Sequence, residues 1–178
     1  MSSLASDSKA AAAKGPGTRR QARELALRLL FQQDLSGSAP EITARSFEAS
    51  FSPEQDDENC LEISPEDFAR AWPLARELFL GVAGHLDELD ADIARAAENW
   101  SLGRMSPVDR GLIRLAYYEM IHREEIPLKV SLNEALEISK SYGDDDSTAF
   151  INGVLDRLMR PIDNGAPTGA MRRRGHDG

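Results

Sequence analysis

The residues of this chain best suited to chemistry are three arginines near its amino terminus, Arg19, Arg20 and Arg23. Arg19 and Arg23 are four residues apart, so they share one face of a helix, and Arg20 lies beside them. Guanidinium groups bind phosphate and stack on unpaired bases. Basic side chains at the start of a helix are unfavourable next to the positive end of the helix dipole, so local stability does not explain these arginines. The arginines therefore favour nucleic-acid contact over a solvated helix start, and single-stranded RNA over duplex, because no long basic face follows.

The other reactive side chains form no recognisable catalytic constellation. The three histidines, His85, His122 and His176, are far apart, and His176 lies in the tail. Cys60 lies in an acidic stretch with no evident histidine partner, and no glycine-rich phosphate loop is present. We therefore expect no catalytic residue, no cofactor and no metal site.

Three consecutive carboxylates, Asp144, Asp145 and Asp146, are the most tempting metal ligands in the sequence. They lack the alternating spacing of a calcium-binding loop. Carboxylates at a helix start also complement the helix dipole, and one of them can cap the helix. The interpretation as a helix start is therefore favoured over a metal site.

Charge is distributed unevenly along the 178 residues, whose net charge is −9. Residues 1–28 hold six bases and two acids, whereas residues 29–158 hold 11 bases and 26 acids. This asymmetry suggests a local anion-binding site, and the acidic body could meet a basic protein. The single cysteine excludes an internal disulfide and fits a reducing compartment. Neither a membrane span nor a secretory signal is recognisable, so the cytoplasm is the expected location.

Helical spacing of apolar residues predicts an all-α fold with six or seven helices and no sheet. The arginines lie on the first helix, for which Thr18 is the expected cap, and residues 41–51 form a weaker second helix. Ser64 and Pro65 begin a third, in which Pro73 introduces a kink or marks where the regular helix begins. The remaining predicted boundaries are a break at Gly84-His85, an end near Trp100, a start at Ser106, an end at Pro127, a cap at Ser131, a left-handed end at Gly143, a cap at Asp146 or Ser147, and a stop at Pro161.

The two ends of the chain differ in composition from its middle. Residues 1–17 and 161–178 are rich in small and polar side chains, which bury too little apolar surface to offset the entropy of ordering. We predict a disordered basic leader over 1–17, a folded domain over 18–160, and a disordered tail over 161–178.

The carboxyl-terminal half carries a succession of motifs in a specific order. They are VDRGLIRLAYYEM at 108–120, IP at 126–127, VSLNEA at 130–135, KSYG at 140–143 and FINGVL at 150–155. Together with RRQARELALRLLF at 19–31, this succession closely resembles the bacterial NusB family of transcription antitermination factors. The resemblance spans about residues 18–160 and is weakest over 36–64.

The resemblance implies a NusB-like fold of two packed helical subbundles, without catalysis or cofactor. It implies binding of boxA-type single-stranded RNA together with NusE, the small-subunit ribosomal protein that also acts in transcription. It further implies work with other Nus factors in the transcription elongation complex, to suppress premature termination on ribosomal RNA operons. Some family members pair into dimers, and the sequence leaves a homodimer open.

The resemblance also assigns roles to individual residues. The RNA-contacting positions it implies are Arg19, Arg20, Arg23, Lys140, Asp146 and Phe150. Phe31 and Asp109 match positions on the side that meets the ribosomal protein. An aromatic ring beside arginines suits unpaired bases, although core packing is the other explanation of Phe150. Gln21 and Ala149 depart from the family pattern, and both changes could weaken RNA binding by the protein alone.

Two other interpretations are open at this point. One is a non-catalytic helical scaffold that binds only proteins. The other is the RNA-binding domain of a ribosomal RNA methyltransferase, which would require a following Rossmann-type domain with a cofactor loop and a cysteine nucleophile. This sequence ends before such a domain, which favours the antitermination factor.

Overall fold

The computed structural model describes residues 16–51, 63–98 and 100–166, and the regular structure in these ranges is helical. It comprises seven α-helices and a 3-10 turn, with no strand among the described residues. The elements are α1 (Pro16–Ser36), α2 (Pro40–Ser50), α3 (Pro65–Ala83), α4 (Leu86–Ala96), the 3-10 turn (Leu102–Arg104), α5 (Pro107–His122), α6 (Leu128–Tyr142) and α7 (Ser147–Asp163). The predicted all-α fold with six or seven helices is confirmed.

The helices fall into two compact units, and the boundary between the units lies between Leu80 and Gly81. In the first unit α1 packs against α2. The side of α1 that faces the core is fully buried at Leu25 and Leu29. Thr43 Oγ1 of α2 donates a hydrogen bond of 2.8 Å to Gln33 Oε1 of α1. The helix that carries the arginines is therefore anchored by its opposite, apolar face.

An aromatic cluster stabilises the rest of the first unit. Phe47 and Phe51 of the α2 region stack on Trp72 and Phe68 of α3, with ring centroids 5.8 Å apart for Phe47–Trp72 and 4.1 Å apart for Phe51–Phe68. Stacked aromatic pairs contribute about 0.5–1.5 kcal/mol each beyond the area they bury. These contacts explain why the short second helix is stable despite its weak apolar pattern.

The second unit is built around α5, against which α4, α6 and α7 pack. Its core includes polar side chains that bind each other. Glu119 is 1% exposed and accepts a 2.7 Å hydrogen bond from Ser131 Oγ of α6. Tyr117 Oη donates at 2.6 Å to Asp92 of α4. Because a buried polar group without a partner costs about 1–3 kcal/mol, these bonds select one register between neighbouring helices.

A local ion pair lies in the turn between α5 and α6. Arg123 Nε donates to Glu125 Oε1 at 2.6 Å. A backbone hydrogen bond to Glu125, assisted by the Arg123 guanidinium, lowers the pKa of the Glu125 carboxyl. Because this carboxylate is well exposed, the pair contributes little to stability.

The predicted cap at Thr18 and the predicted stop at Pro161 are wrong, and so is one of the two alternatives predicted for Pro73. α1 begins at Pro16, so Thr18 lies inside the helix. α3 runs from Pro65 to Ala83, and Pro73 therefore does not mark where the regular helix begins. Pro161 lies within α7, which ends at Asp163. Both internal prolines are exposed on helices whose opposite faces are buried, and that burial offsets the lost backbone bond.

The predicted start of α6 is wrong, whereas its predicted end at Gly143 is right in position and wrong in conformation. This helix begins at Leu128, with Pro127 at the N-cap, so Ser131 lies inside it and its hydroxyl bonds Glu119 instead of a backbone amide. Gly143 follows the helix in an extended conformation, with φ −94° and ψ 172°, and not in the left-handed region. A Cβ at Gly143 would lie 2.6 Å from Ser147 Cβ. A close approach of the chain, and not a positive φ, explains this glycine.

Other predicted helix boundaries agree with the structure. Ser106 Oγ accepts the Asp109 amide at 3.1 Å and caps α5. The break before α4 occurs at Gly84 and His85, although α4 already ends at Ala96. Asp146 is the N-cap of α7 but makes no capping side-chain bond.

Several sequence predictions fall on residues outside the described ranges. These concern residues 1–15 of the leader, Cys60 and its acidic stretch, and residues 167–178 with their three consecutive arginines and His176. Among the described helices, none combines the length and apolarity required to cross a bilayer.

Candidate nucleic-acid interface

The arginines of α1 differ in exposure. Arg19 and Arg20 are exposed in the first turns of the helix, whereas Arg23 is only 6% exposed. The first turn of α1 contains no acidic residue, so the positive end of the helix dipole adds to the charge of the two exposed guanidinium groups. Arg19 and Arg20 can therefore bind a phosphate from solvent, whereas Arg23 also belongs to the packed part of the unit.

Lys140, Asp146 and Phe150 lie where α6 ends and α7 begins, in the second unit. The Ser139 and Thr148 hydroxyls, 2.8 Å apart, join these two helix ends by a hydrogen bond. Lys140 is exposed and pairs with the neighbouring Glu137 carboxylate at 2.6 Å. The three predicted residues thus occupy adjoining turns of two helices that are fixed to each other. The three arginines belong to the first unit.

Trp100 adds a second ring to this region, and the sequence reasoning did not identify it as a site residue. Its indole is 52% exposed and lies 5.9 Å from the Phe150 ring, at an interplanar angle of 65°. Phe150 is half-buried, so part of its ring packs inside the protein and part is accessible from solvent. An exposed indole that packs against a phenyl ring offers a flat surface on which an unpaired base can stack. The sequence feature that could have identified Trp100 is its position between two predicted helices, outside any apolar stripe.

The residues assigned to a protein partner lie in different units. Phe31 of α1 is 42% exposed, and Leu35, one turn later on the same face, is 73% exposed. Leu35 is a second residue that the sequence reasoning missed. Asp109 lies in the first turn of α5, where its charge complements the helix dipole. Its Oδ1 atom is buried and has no hydrogen-bond partner among the described residues.

The histidines contradict one expectation. His85 and His122 are not far apart, because their ring centroids are separated by only 4.2 Å. His85 lies in the turn before α4 and His122 in the last turn of α5, two elements that pack together. Sequence separation says nothing about such tertiary proximity.

The fold and these surfaces define a class: an all-helical protein with exposed arginines on its first helix and an aromatic pair beside its last. A comparison with protein families agrees with this class, because residues 20–160 match the model described as the NusB family. The chain belongs to the NusB family.

Individual relatives support this membership. The chain is 41% identical over 149 residues to the transcription antitermination protein NusB of Desulforamulus reducens, covering 84% of this chain and 94% of that relative. It is 42% identical to the protein of the same name from Myxococcus xanthus, covering 80% and 94%. Among solved structures, T. maritima NusB is similar with a TM-score of 0.64 and 33% identity, covering 80% of this chain and 90% of that chain. A fold of this kind is also present in a crystal structure of NusB and NusE with double-stranded RNA, at a TM-score of 0.63 and 24% identity, covering 82% and 98%.

Proposed function

We propose that this protein is a transcription antitermination factor that binds boxA-type single-stranded RNA together with NusE and suppresses premature termination on ribosomal RNA operons. The match to the NusB family over residues 20–160 carries the proposal. The curated relatives are named for transcription antitermination, which is a regulatory activity and not catalysis. We further propose that the protein acts in the cytoplasm, with other Nus factors in the elongation complex.

The residues assigned to RNA in this proposal form two groups, one in each unit. Arg19 and Arg20 hold phosphates, while Phe150, with Trp100 as an addition, offers rings to unpaired bases. Lys140 supplies a positive charge next to those rings. The exposed carboxylate of Asp146 can accept a hydrogen bond from the edge of an RNA base. Arg23, which is only 6% exposed, is the remaining residue assigned to RNA and belongs to the same group as Arg19 and Arg20.

The decisive experiment is fluorescence anisotropy with labelled boxA-type RNA, titrated with the full chain in the presence and absence of NusE. We expect saturable binding that strengthens when NusE is present. A duplex of the same sequence is the matched probe, because a related complex contains double-stranded RNA. Tighter binding of the single strand would support recognition of unpaired bases. If the folded protein binds neither RNA with or without NusE, the proposed function is wrong.

Replacing Trp100 by alanine should weaken single-stranded RNA binding by about five- to a hundredfold, because stacking of one base contributes about 1–3 kcal/mol. Trp100 is half exposed, so the loss of the ring should not unfold the protein. Trp100→Phe, which keeps an aromatic face, should retain most of the affinity. The chain has two tryptophans, and in a Trp72→Phe background RNA should quench the remaining indole fluorescence. Unaltered RNA affinity of Trp100→Ala would argue against the stacking platform.

Replacing both Phe31 and Leu35 by serine should weaken NusE binding by tenfold or more, because a few side chains that become buried in an interface contribute most of its binding energy. RNA affinity measured without NusE should not change. Ile42→Ser is the matched control, since Ile42 is 56% exposed but lies on α2. Isothermal titration calorimetry with purified NusE provides the measurement. Equal losses in the double variant and in the control would mean that the partner does not use this face of α1.

A further inference from the structure

A cluster of three ligand-type side chains lies in the second unit, and neither RNA nor NusE binding accounts for it. His85, Glu88 and His122 each offer one ligand atom, and these atoms lie within 4.8 Å of one another. His122 Nε2 is 3.9 Å from Glu88 Oε2. All three side chains are partly buried, so the group remains accessible to an ion.

The hydrogen bond of His85 prepares this residue to bind a metal. His85 Nδ1 lies 2.7 Å from the Gly81 carbonyl oxygen. A carbonyl oxygen can only accept, so Nδ1 carries the hydrogen of the neutral ring and Nε2 carries the lone pair. Metal-bound histidines almost always donate their second ring N–H to a carbonyl or carboxylate, which fixes the tautomer and orientates the ring. The Gly81 carbonyl of α3 thus accepts the second ring N–H, which is the hydrogen bond that orientates a metal-binding imidazole.

The aromatic surroundings hold the two imidazoles in place. The Tyr118 ring lies 4.9 Å from His122 and 5.7 Å from His85, measured between ring centroids. A Cβ at Gly81 would overlap the Tyr118 phenol, so only glycine permits this close packing. The His85 and His122 rings, whose centroids are 4.2 Å apart, therefore both pack against the Tyr118 ring.

We propose that His85, Glu88 and His122 form a binding site for a divalent transition-metal ion, with Zn²⁺ as the preferred occupant. Two imidazoles and one carboxylate are a donor set that zinc uses in proteins, with further positions filled by water. Ligand atoms around tetrahedral zinc lie about 3.4 Å apart when the bonds are about 2.1 Å long. The present spacings, 3.9 Å between His122 Nε2 and Glu88 Oε2 and within 4.8 Å for the whole set, are longer than this value, so the ligand atoms would move closer together when the ion binds.

The bound ion would connect three segments of the second unit. His85 belongs to the turn after α3, Glu88 to the first turn of α4, and His122 to the last turn of α5. An ion held by all three stabilises the folded unit over the unfolded chain, in which the ligands are separated. This site is independent of the proposed RNA and NusE surfaces, which use other residues.

The test is isothermal titration calorimetry of the full, metal-stripped chain with ZnCl₂, together with thermal unfolding. We expect one saturable site and a rise in the melting temperature with zinc. A Cys60→Ser/His176→Ala chain removes two other possible donors, which lie outside the described residues, and should bind zinc equally well. Glu88→Gln and His85→Ala, made in that background, should lower zinc affinity by about a hundredfold. Co²⁺ should give a visible absorption band in the background chain that is lost in both variants.

Two results would overturn the proposal. One is the absence of saturable zinc binding by the folded chain. The other is zinc binding that does not depend on these ligands. It is either lost already in the Cys60→Ser/His176→Ala chain, or unchanged when Glu88→Gln or His85→Ala is added to that chain, and either result would place the ion elsewhere. Circular dichroism of each variant without metal establishes that it is folded, and Glu88→Gln serves as the least disruptive variant because it keeps the shape of the side chain.

Discussion

Replacing Arg19 and Arg20 together by alanine should reduce the affinity for single-stranded RNA by at least about tenfold, equivalent to about 1.4 kcal/mol. Both guanidinium groups are exposed on a helix whose opposite face is buried, so the change removes charge without opening the core. If each arginine contacts one phosphate, the slope of log affinity against log salt should decrease by about 1.4. Anisotropy titrations at several salt concentrations measure both effects.

The matched control for this variant is Arg45→Ala/Arg70→Ala. It removes the same charge from exposed positions of the first unit that lie on α2 and α3. We expect a small loss of affinity and almost no change of salt slope. Equal behaviour of the two double variants would mean that α1 attracts RNA only through net charge. Arg23→Ala is a poor substitute for either variant, because burial of Arg23 would mix RNA binding with stability.

Replacing Arg114 by alanine should destabilise the protein by about 2–3 kcal/mol, since breaking a buried ion pair leaves an uncompensated charge. Arg114 of α5 is 8% exposed, and its Nε and Nη2 atoms bind the two Asp90 oxygens of α4 at 2.7 and 2.8 Å. Asp90 retains some access to water, which brings the expected loss to or below the lower limit of about 3–5 kcal/mol for fully buried pairs. The melting temperature should fall by about 4–10 °C.

Arg160→Ala provides the comparison for Arg114→Ala. Arg160 pairs with Asp156 at 2.6 Å on α7, but its side chain is 71% exposed. Its removal should cost less than about 0.5 kcal/mol, as is usual for exposed helical pairs. Thermal and urea unfolding of both variants give the values. Losses of similar size would show that the Arg114 pair is screened by solvent like a surface pair.

Much of the helical fold could be predicted from local patterns. The starts at Ser64 and Ser106 are recognisable because a hydroxyl followed by proline and acidic residues satisfies free amides within four residues of the chain. Apolar spacing likewise identifies the buried stripes of α1 and α5. Such signals act over one or two turns, so they are present in the sequence itself.

Predictions failed where the contacts of a residue, and not its type, decide what it does. Ser131 is of a residue type that often caps helices, but its hydroxyl donates a hydrogen bond to the buried Glu119 carboxylate of another helix. Gly143 resembles a left-handed helix end, but the close approach of Ser147 requires it. Pro161 should stop a helix, yet α7 continues because its buried residues hold the preceding turns in place.

The sequence by itself determined that this chain is helical, that its basic residues concentrate at the start of the first helix, and that its motif order is that of the NusB family. These properties depend on residue types at short spacings, and the family match over 20–160 agrees with them. Only the tertiary structure decided that Arg23 is buried beside exposed Arg19, that Trp100 meets Phe150, and that His85 meets His122. The physical reason is that helical periodicity shows which face of a helix is buried, whereas the packing of helices decides which side chains meet there.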